Sequence, residues 1–249
     1  MLEIQNLNFA YSKNKSALNN INLTLKPGEI LAVIGENGSG KTTFCRSLAG
    51  ILPQAYNGSI LICENELKTF KRIDLAKKIA YMAQLRQTYF DFSVYGIVEM
   101  GRFPWKGESL EIKKAAVEAA LNAVDMLEYR DELITKLSGG QQQRVFLARL
   151  FAQDASVVIL DEPTNHLDLR SQETFLYSIR RYANKDLKTI IAVFHDINQA
   201  LFVADKILVL KNGAQSWFGE TNRITDLILK DAYDTDVAAY MRQIVKRWN

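Results

Sequence analysis

Cysteine and histidine are scarce, with two of each in 249 residues. Cys45 and Cys63 are too few and too badly spaced for a disulfide framework or a zinc site. Both are expected to be structural thiols in a reducing compartment, Cys45 packing as a small apolar residue on a helix. Long hydrophobic runs are also missing: nothing approaches the ~18 apolar residues of a membrane-crossing helix. The opening Met1-Leu2-Glu3-Ile4-Gln5 lacks the basic-then-apolar pattern of a secretion leader, so a cytoplasmic chain is expected. Charge of one sign is lacking too. The formal net charge of +3 is spread out, with no basic run interleaved with aromatics, and nucleic acid is not an expected partner. The densest basic stretch, Lys68, Lys71, Arg72, Lys77 and Lys78, reads as a solvated face. Internal repeats, low-complexity segments and long linkers are absent.

What remains is an ordinary folded composition, 48% hydrophobic and 24% charged, long enough for a substantial core. Leu2, Ile4, Leu7 and Phe9 nearly alternate, as do Ile21, Leu23 and Leu25, which predicts half-buried antiparallel strands near the start. After the Pro27-Gly28 turn, the apolar run 30–34 is too short for a helix and reads as a buried strand. Similar runs recur at 157–160, 189–194 and 207–210, separated by helical stretches. That pattern predicts a parallel sheet with crossover helices. Between about 86 and 156 the character changes: Val117, Ala120, Leu121, Val124 and Leu127 repeat at helical spacing, and a further helix is expected over 139–152. The stretch 221–249 is polar with scattered aromatics.

Three short segments carry chemistry. Gly35-Glu36-Asn37-Gly38-Ser39-Gly40-Lys41-Thr42 fits G-x-x-x-x-G-K-T between a predicted strand and a predicted helix over about 42–49. Its glycines let successive N–H groups converge on phosphate oxygens. Lys41 supplies charge to the outer phosphates, and the Thr42 hydroxyl is placed for magnesium. Val157-Val158-Ile159-Leu160-Asp161-Glu162 is a strand ending in two carboxylates at the sheet edge where ligands bind. Asp161 is the expected magnesium ligand, and Glu162 the base that orients and deprotonates an attacking water. In Leu137-Ser138-Gly139-Gly140-Gln141, the S-x-x-Q spacing predicts a capping box opening a helix, with two glycines leaving N–H groups bare for an anion. Two phosphate-seeking helix starts, far apart in sequence, point to a nucleotide sandwiched between two surfaces.

Other residues are placed around these. His195 follows the strand 189–194 at the same sheet edge, where its imidazole can donate to a γ-phosphate or to released phosphate. Gln84 follows the predicted strand 79–82, where a neutral amide can reach magnesium or the attacking water. Tyr11 is open to two readings, a core aromatic or a platform for adenine. Tyr89, Phe90, Phe92, Tyr95, Phe103 and Trp105 are open in the same way, to a core cluster or a partner surface.

These motifs, in this order, resemble those of the nucleotide-binding subunits of ABC transporters, over nearly the full length. They are the Walker A loop 35–42, the glutamine loop at Gln84, the signature 137–141, the Walker B strand with Asp161 and Glu162, the turn Asn165-His166-Leu167-Asp168, and the switch His195. The resemblance implies an α/β P-loop NTPase with a parallel-sheet core, an antiparallel β-subdomain and an inserted helical subdomain. As one domain over 1–249, it would comprise a core of 1–85 and 157–220, a helical subdomain 86–156 and a tail 221–249. It also implies Mg2+-dependent ATP hydrolysis, with Asn37, Gly38, Ser39, Gly40 and Thr43 joining Lys41 and Thr42 around ATP.

The implied partner is a second copy in a head-to-tail dimer. Each ATP would lie between one Walker A loop and the other subunit's Ser138, Gly139, Gly140 and Gln141, with Asp168 touching the partner. Integral-membrane permease subunits would complete the assembly at the cytoplasmic face of the membrane, with a substrate-binding protein on the far side. A finer resemblance, carried by 94–104 and 162–169, is to importers of iron–siderophore complexes, haem and cobalamin. A soluble ABC-type ATPase acting on nucleic acid or ribosomes is the alternative. Those relatives usually carry two cassettes or long coiled-coil insertions. A P-loop kinase or GTPase would leave the signature and His195 unexplained. A stand-alone exporter subunit stays open as a reading, whereas a fused exporter is not expected of a chain that opens almost on its first strand.

Overall fold

The computed structural model describes residues 1–12, 15–52, 55–83, 91–165 and 167–246. It opens with β1 (Leu2–Ser12) and β2 (Lys15–Leu25), paired antiparallel with Leu2 opposite Leu25. The break in alternation between Ile4 and Leu7 is a shift of register, at which Asn6 takes a left-handed φ of 48°. β3 (Ile30–Ile34) leads through the glycine-rich loop into α1 (Lys41–Leu48). β4 (Asn57–Ile62) and β5 (Asn65–Glu66) add antiparallel beside β1, with Cys63 exposed in the turn between them and thus without a packing role, while Cys45 on α1 is buried.

The short α2 (Arg72–Ala76) precedes β6 (Ile79–Met82). Three helices then intervene, α3 (Val94–Glu99), α4 (Leu110–Ala123) and α5 (Gly139–Gln153), before β7 (Val157–Asp161). From there α6 (Leu169–Asp186), β8 (Thr189–Val193), α7 (Ile197–Val203) and β9 (Lys206–Lys211) follow. β10 (Ala214–Glu220), α8 (Asp226–Tyr233) and α9 (Val237–Val245) close the chain.

The strands form one mixed sheet in the order β5-β4-β1-β2-β10-β9-β3-β8-β7-β6. From β9 to β6 all pairings are parallel. The antiparallel β9–β10 hairpin joins that half to β2 through a parallel pairing of Ala214 with Asn19. The apolar runs seen in the sequence are fully buried strands, and their alternate residues serve two different layers. Ile30, Ala32 and Ile34 face the layer built by α3–α6, whereas Leu31 and Val33 face α1 and the antiparallel strands. β7 divides in the same way, Val158 and Leu160 against Val157 and Ile159. α6 buries Phe175, Leu176, Ile179, Tyr182 and Ala183, one stripe at helical spacing.

The aromatic cluster divides. Tyr95 packs on the core, and the Trp105 indole donates to the Gln153 carbonyl at 2.8 Å. Phe92 and Phe103 stay 46% and 70% exposed. The core reading thus holds for Tyr95 and Trp105 and not for Phe92 and Phe103, and Tyr89 and Phe90 lie outside the described residues. In the basic stretch Lys68, Lys71 and Arg72 are exposed, as a solvated face requires, and Lys77 and Lys78 are half-buried; Lys68 sits 4.2 Å from the Tyr56 ring and Lys77 5.4 Å from that of Trp105.

Phe44, fully buried on α1, wedges the helix that carries the phosphate loop against the sheet. Phe44→Ala is expected to cost about 3–5 kcal/mol of stability. Urea unfolding checks this, and a loss below about 1 kcal/mol, the ordinary effect of a substitution, would mean that α1 is anchored elsewhere.

Candidate active site

Strand register places the site. Val33, Val193 and Asp161 lie side by side across β3, β8 and β7. The residues just beyond them, Gly35, His195 and Glu162, therefore leave the sheet along one carboxyl edge.

The loop after β3 is shaped by close approach. Gly35 has φ 141°, and a Cβ there would stand 2.1 Å from the Leu210 carbonyl oxygen of β9. Gly40 begins α1 with φ 104°, and no side chain caps that helix. The first-turn N–H groups of α1 thus point into the loop without a protein cap, the arrangement that attracts phosphate. Lys41 is 5% exposed, and its ammonium donates to the carbonyls of Gly35 at 2.7 Å and Glu36 at 2.8 Å. Burial lowers its pKa, opposed by the charges of Glu162, Asp161 and Glu36. Ser39 is 4% exposed, and its hydroxyl is the one buried side-chain polar atom without a partner among the described residues. An orphaned donor inside a ring of backbone amides fits an incoming phosphate oxygen. Asn37 and Gly38 lie exposed on the outer side of the loop.

Thr42 Oγ1 donates to Asp161 Oδ1 at 3.3 Å, and Tyr81 donates to Asp161 Oδ2 at 3.2 Å. Burial raises the Asp161 pKa, partly offset by these two hydrogen bonds. One carboxylate and one hydroxyl suit a magnesium ion, which keeps several waters and takes its other ligands from substrate phosphates. A richer set is missing: no cluster of three or more His, Cys, Asp or Glu residues could hold a metal among the described residues. Gln84, expected beside this pair, lies outside the described residues.

Glu162 takes a left-handed φ of 54° directly after β7. Asn165 Nδ2 donates to its Oε2 at 2.7 Å, and His195 Nε2 stands 2.5 Å from its Oε1. Both carboxylate oxygens are thereby oriented. Tyr11 sits edge-on to Phe9 with centroids 4.9 Å apart, and its hydroxyl is 3.2 Å from Thr43 Oγ1, so it lies beside the start of α1.

The capping box read from the sequence is present. The Gln141 N–H donates to Ser138 Oγ at 3.3 Å, and the Ser138 N–H to Gln141 Oε1 at 2.9 Å. A Cβ on Gly139 would meet nothing within 4 Å, and one on Gly140 would stand 2.4 Å from Ser171 Oγ. Asp168 caps α6, accepting from the Ser171 N–H at 2.9 Å and its hydroxyl at 3.0 Å. Ser138 and Asp168 thus belong to one surface. Among the described residues no hydrogen bond joins that surface to the loop 35–43.

Sequence reasoning missed several partners. Tyr81 has no motif, although the alternation of β6 could have placed it on the α1 side. The role of Asn165 follows from its position three residues after Glu162. Gln143 Nε2 donates to the Pro163 carbonyl at 2.6 Å, tying α5 to the turn after Glu162, and no local signal reveals it.

Comparison with known proteins agrees with this geometry. Residues 18–165 match the family described as ABC transporter. The petrobactin import ATP-binding protein FpuC of Bacillus anthracis is 35% identical over 222 residues, 88% of this chain and 81% of that protein. The ABC transporter ATP-binding protein YvrA of Bacillus subtilis is 36% identical over 231 residues, 91% of this chain, and the chain spans 52% of that relative's length. A metal-chelate type ABC transporter in an inward-facing conformation superposes with a TM-score of 0.79 at 30% identity, covering 93% of this chain and 88% of that one. A dimeric bacterial ABC transporter cassette gives 0.76 at 26% identity, with 89% and 99% covered.

Ser39→Ala tests the loop. Removing an unpaired buried hydroxyl leaves thermal stability unchanged or slightly raised, while losing a bond to a charged phosphate weakens triphosphate binding roughly 10- to 100-fold. Calorimetry reads the affinity; full affinity in the variant would take Ser39 out of the phosphate site.

Proposed function

The chain belongs to the ABC transporter family as an ATP-binding subunit, and from that premise we propose that it hydrolyses ATP to drive import through a membrane permease. The observation that carries this reading is the Glu162 carboxylate, held by Asn165 and His195 at the edge where Lys41, Thr42 and Asp161 meet.

In the proposed reaction the loop amides, Ser39 and Lys41 hold the outer phosphates of ATP, with Asn37, Gly38, Gly40 and Thr43 completing the cradle. Tyr11 flanks the adenine. Thr42 and Asp161, with Gln84, are the residues that would hold Mg2+, which supplies positive charge to the β- and γ-phosphates. Glu162 accepts the proton of the attacking water. His195, beside the same carboxylate, keeps it aimed and donates to the γ-phosphate or to the phosphate released.

A second copy completes the site. Its Gly139 and Gly140 present bare amides and its Ser138 a hydroxyl at the N-terminus of α5, with Gln141 closing the capping box and Asp168 beside them. The dimeric cassette that this chain resembles supports the arrangement. Each ATP is then gripped from two sides, so binding closes the dimer and hydrolysis releases it. Within the single domain 1–249, the segment 86–156 presents the signature and the remaining core presents the loop.

No helix among the described residues is long and apolar enough to cross a membrane. Attachment is therefore proposed to be peripheral, to permease subunits at the cytoplasmic face, with a substrate-binding protein on the far side. The petrobactin and metal-chelate relatives support a chelated-metal cargo such as an iron–siderophore complex, haem or cobalamin.

Glu162→Gln is expected to bind ATP, to lower kcat about 10²- to 10⁴-fold, and to accumulate as an ATP-bound dimer in gel filtration. Near-normal turnover would remove Glu162 from the mechanism. Ser138→Arg is expected to abolish that dimer while the monomer still binds ATP; an intact ATP dimer would contradict the sandwich.

A further inference from the structure

The C-terminal helices reach back to the phosphate loop. Tyr233 is the last residue of α8, and its hydroxyl oxygen accepts a hydrogen bond from the Gly35 N–H at 3.0 Å. These residues stand 198 positions apart. Gly35 is also the residue pressed against the Leu210 carbonyl, and its own carbonyl receives the Lys41 ammonium at 2.7 Å. The hinge residue of the loop is thus held at both polar ends, by the lysine through C=O and by the tyrosine through N–H.

α8 is fixed where it delivers that hydroxyl. Leu229 and Ala232 are buried. Lys211 of β9 donates to the Asp231 carbonyl, and to Asp234 Oδ1 at 2.8 Å, placing a cation on the helix C-terminus. Ser216 of β10 donates to Asp231 Oδ2 at 2.9 Å. Arg242 on α9 pairs with Asp226 on α8 at 2.9 Å. Asn198 on α7, just beyond His195, approaches the Met241 sulfur at 3.6 Å. Burial raises the Tyr233 pKa, with the Glu36 charge adding and the Gly35 N–H opposing, so the phenol stays neutral at neutral pH.

We propose that Tyr233 is a positioning residue for the triphosphate: by fixing the Gly35 N–H it holds the loop, and the Lys41 that leans on it, in the shape that receives phosphate. Residues 226–246 then act as a strut that sets nucleotide affinity, and the strut also touches the helix behind His195. This rests on the reading of the loop 35–42 as the ATP site.

Tyr233→Phe keeps the ring and removes only the acceptor. In the full chain, the Kd for ATP is expected to rise about 3- to 10-fold, the effect of one neutral hydrogen bond. The amide resonance of Gly35 moves in the nucleotide-free protein, whereas amides of β6, at the far edge of the sheet, do not. Wild-type Kd with an unmoved Gly35 resonance overturns the proposal. So does a lowered melting temperature with wild-type Kd, since that is packing alone. Lys41→Ala, measured in parallel, separates the two readings. Loss of ATP binding there with unaltered affinity in Tyr233→Phe removes Tyr233 and leaves the loop assignment standing. Unchanged binding in Lys41→Ala removes both.

Discussion

The site depends on one close approach between two backbones. The Leu210 carbonyl of β9 lies where a side chain on Gly35 would have to stand. β9 and β3 are neighbouring parallel strands, so the sheet itself sets the first bend of the phosphate loop. That bend lets the chain turn back over the end of β3 and start α1 with its amides uncapped. Lys41, buried and bonded to two loop carbonyls, then stiffens what the sheet has shaped. Sheet packing and loop curvature are thus set by the same contact, and the proposed phosphate site is built on it.

The turn after β7 plays the corresponding role for the carboxylates. Four elements meet there: β7 supplies Asp161 and leads into Glu162, α5 reaches the Pro163 carbonyl through Gln143, the exit from β8 brings His195, and Thr164 donates to Gln199 of α7 at 2.6 Å. The helix whose N-terminus bears Ser138 is therefore bonded directly to the turn that holds Glu162, the proposed general base. Movement of α5 has a short physical route to Glu162, through hydrogen bonds rather than through the sheet.

Much of this was legible in the sequence, for identifiable reasons. The runs at 30–34, 157–160 and 207–210 announce strands because both faces of each are buried, and unbroken apolar character is then the signal. The box at Ser138 and Gln141 is legible because a cap is a local interaction over three residues. The loop is legible because its glycines answer to backbone geometry. β10 was not seen: its residues are only partly buried, and no clean alternation marks it. The contact from Tyr233 to Gly35 left no trace either, since a bond between distant residues has no period and no motif. The aromatics of 89–105 were ambiguous because composition does not say which ring faces inward; Trp105 does and Phe103 does not.

The left-handed backbone at Glu162 has a price that falls on the fold. A non-glycine residue in that region costs about 1–3 kcal/mol, which neighbouring structure must outweigh. Here a residue of ordinary chirality is kept where glycine would rest more easily, and its carboxylate, held by Asn165 and His195, is the group proposed to take the proton. The strain is therefore carried at the residue whose side chain ties the turn to Asn165 and His195, so relief of the backbone by glycine would come at the loss of both bonds.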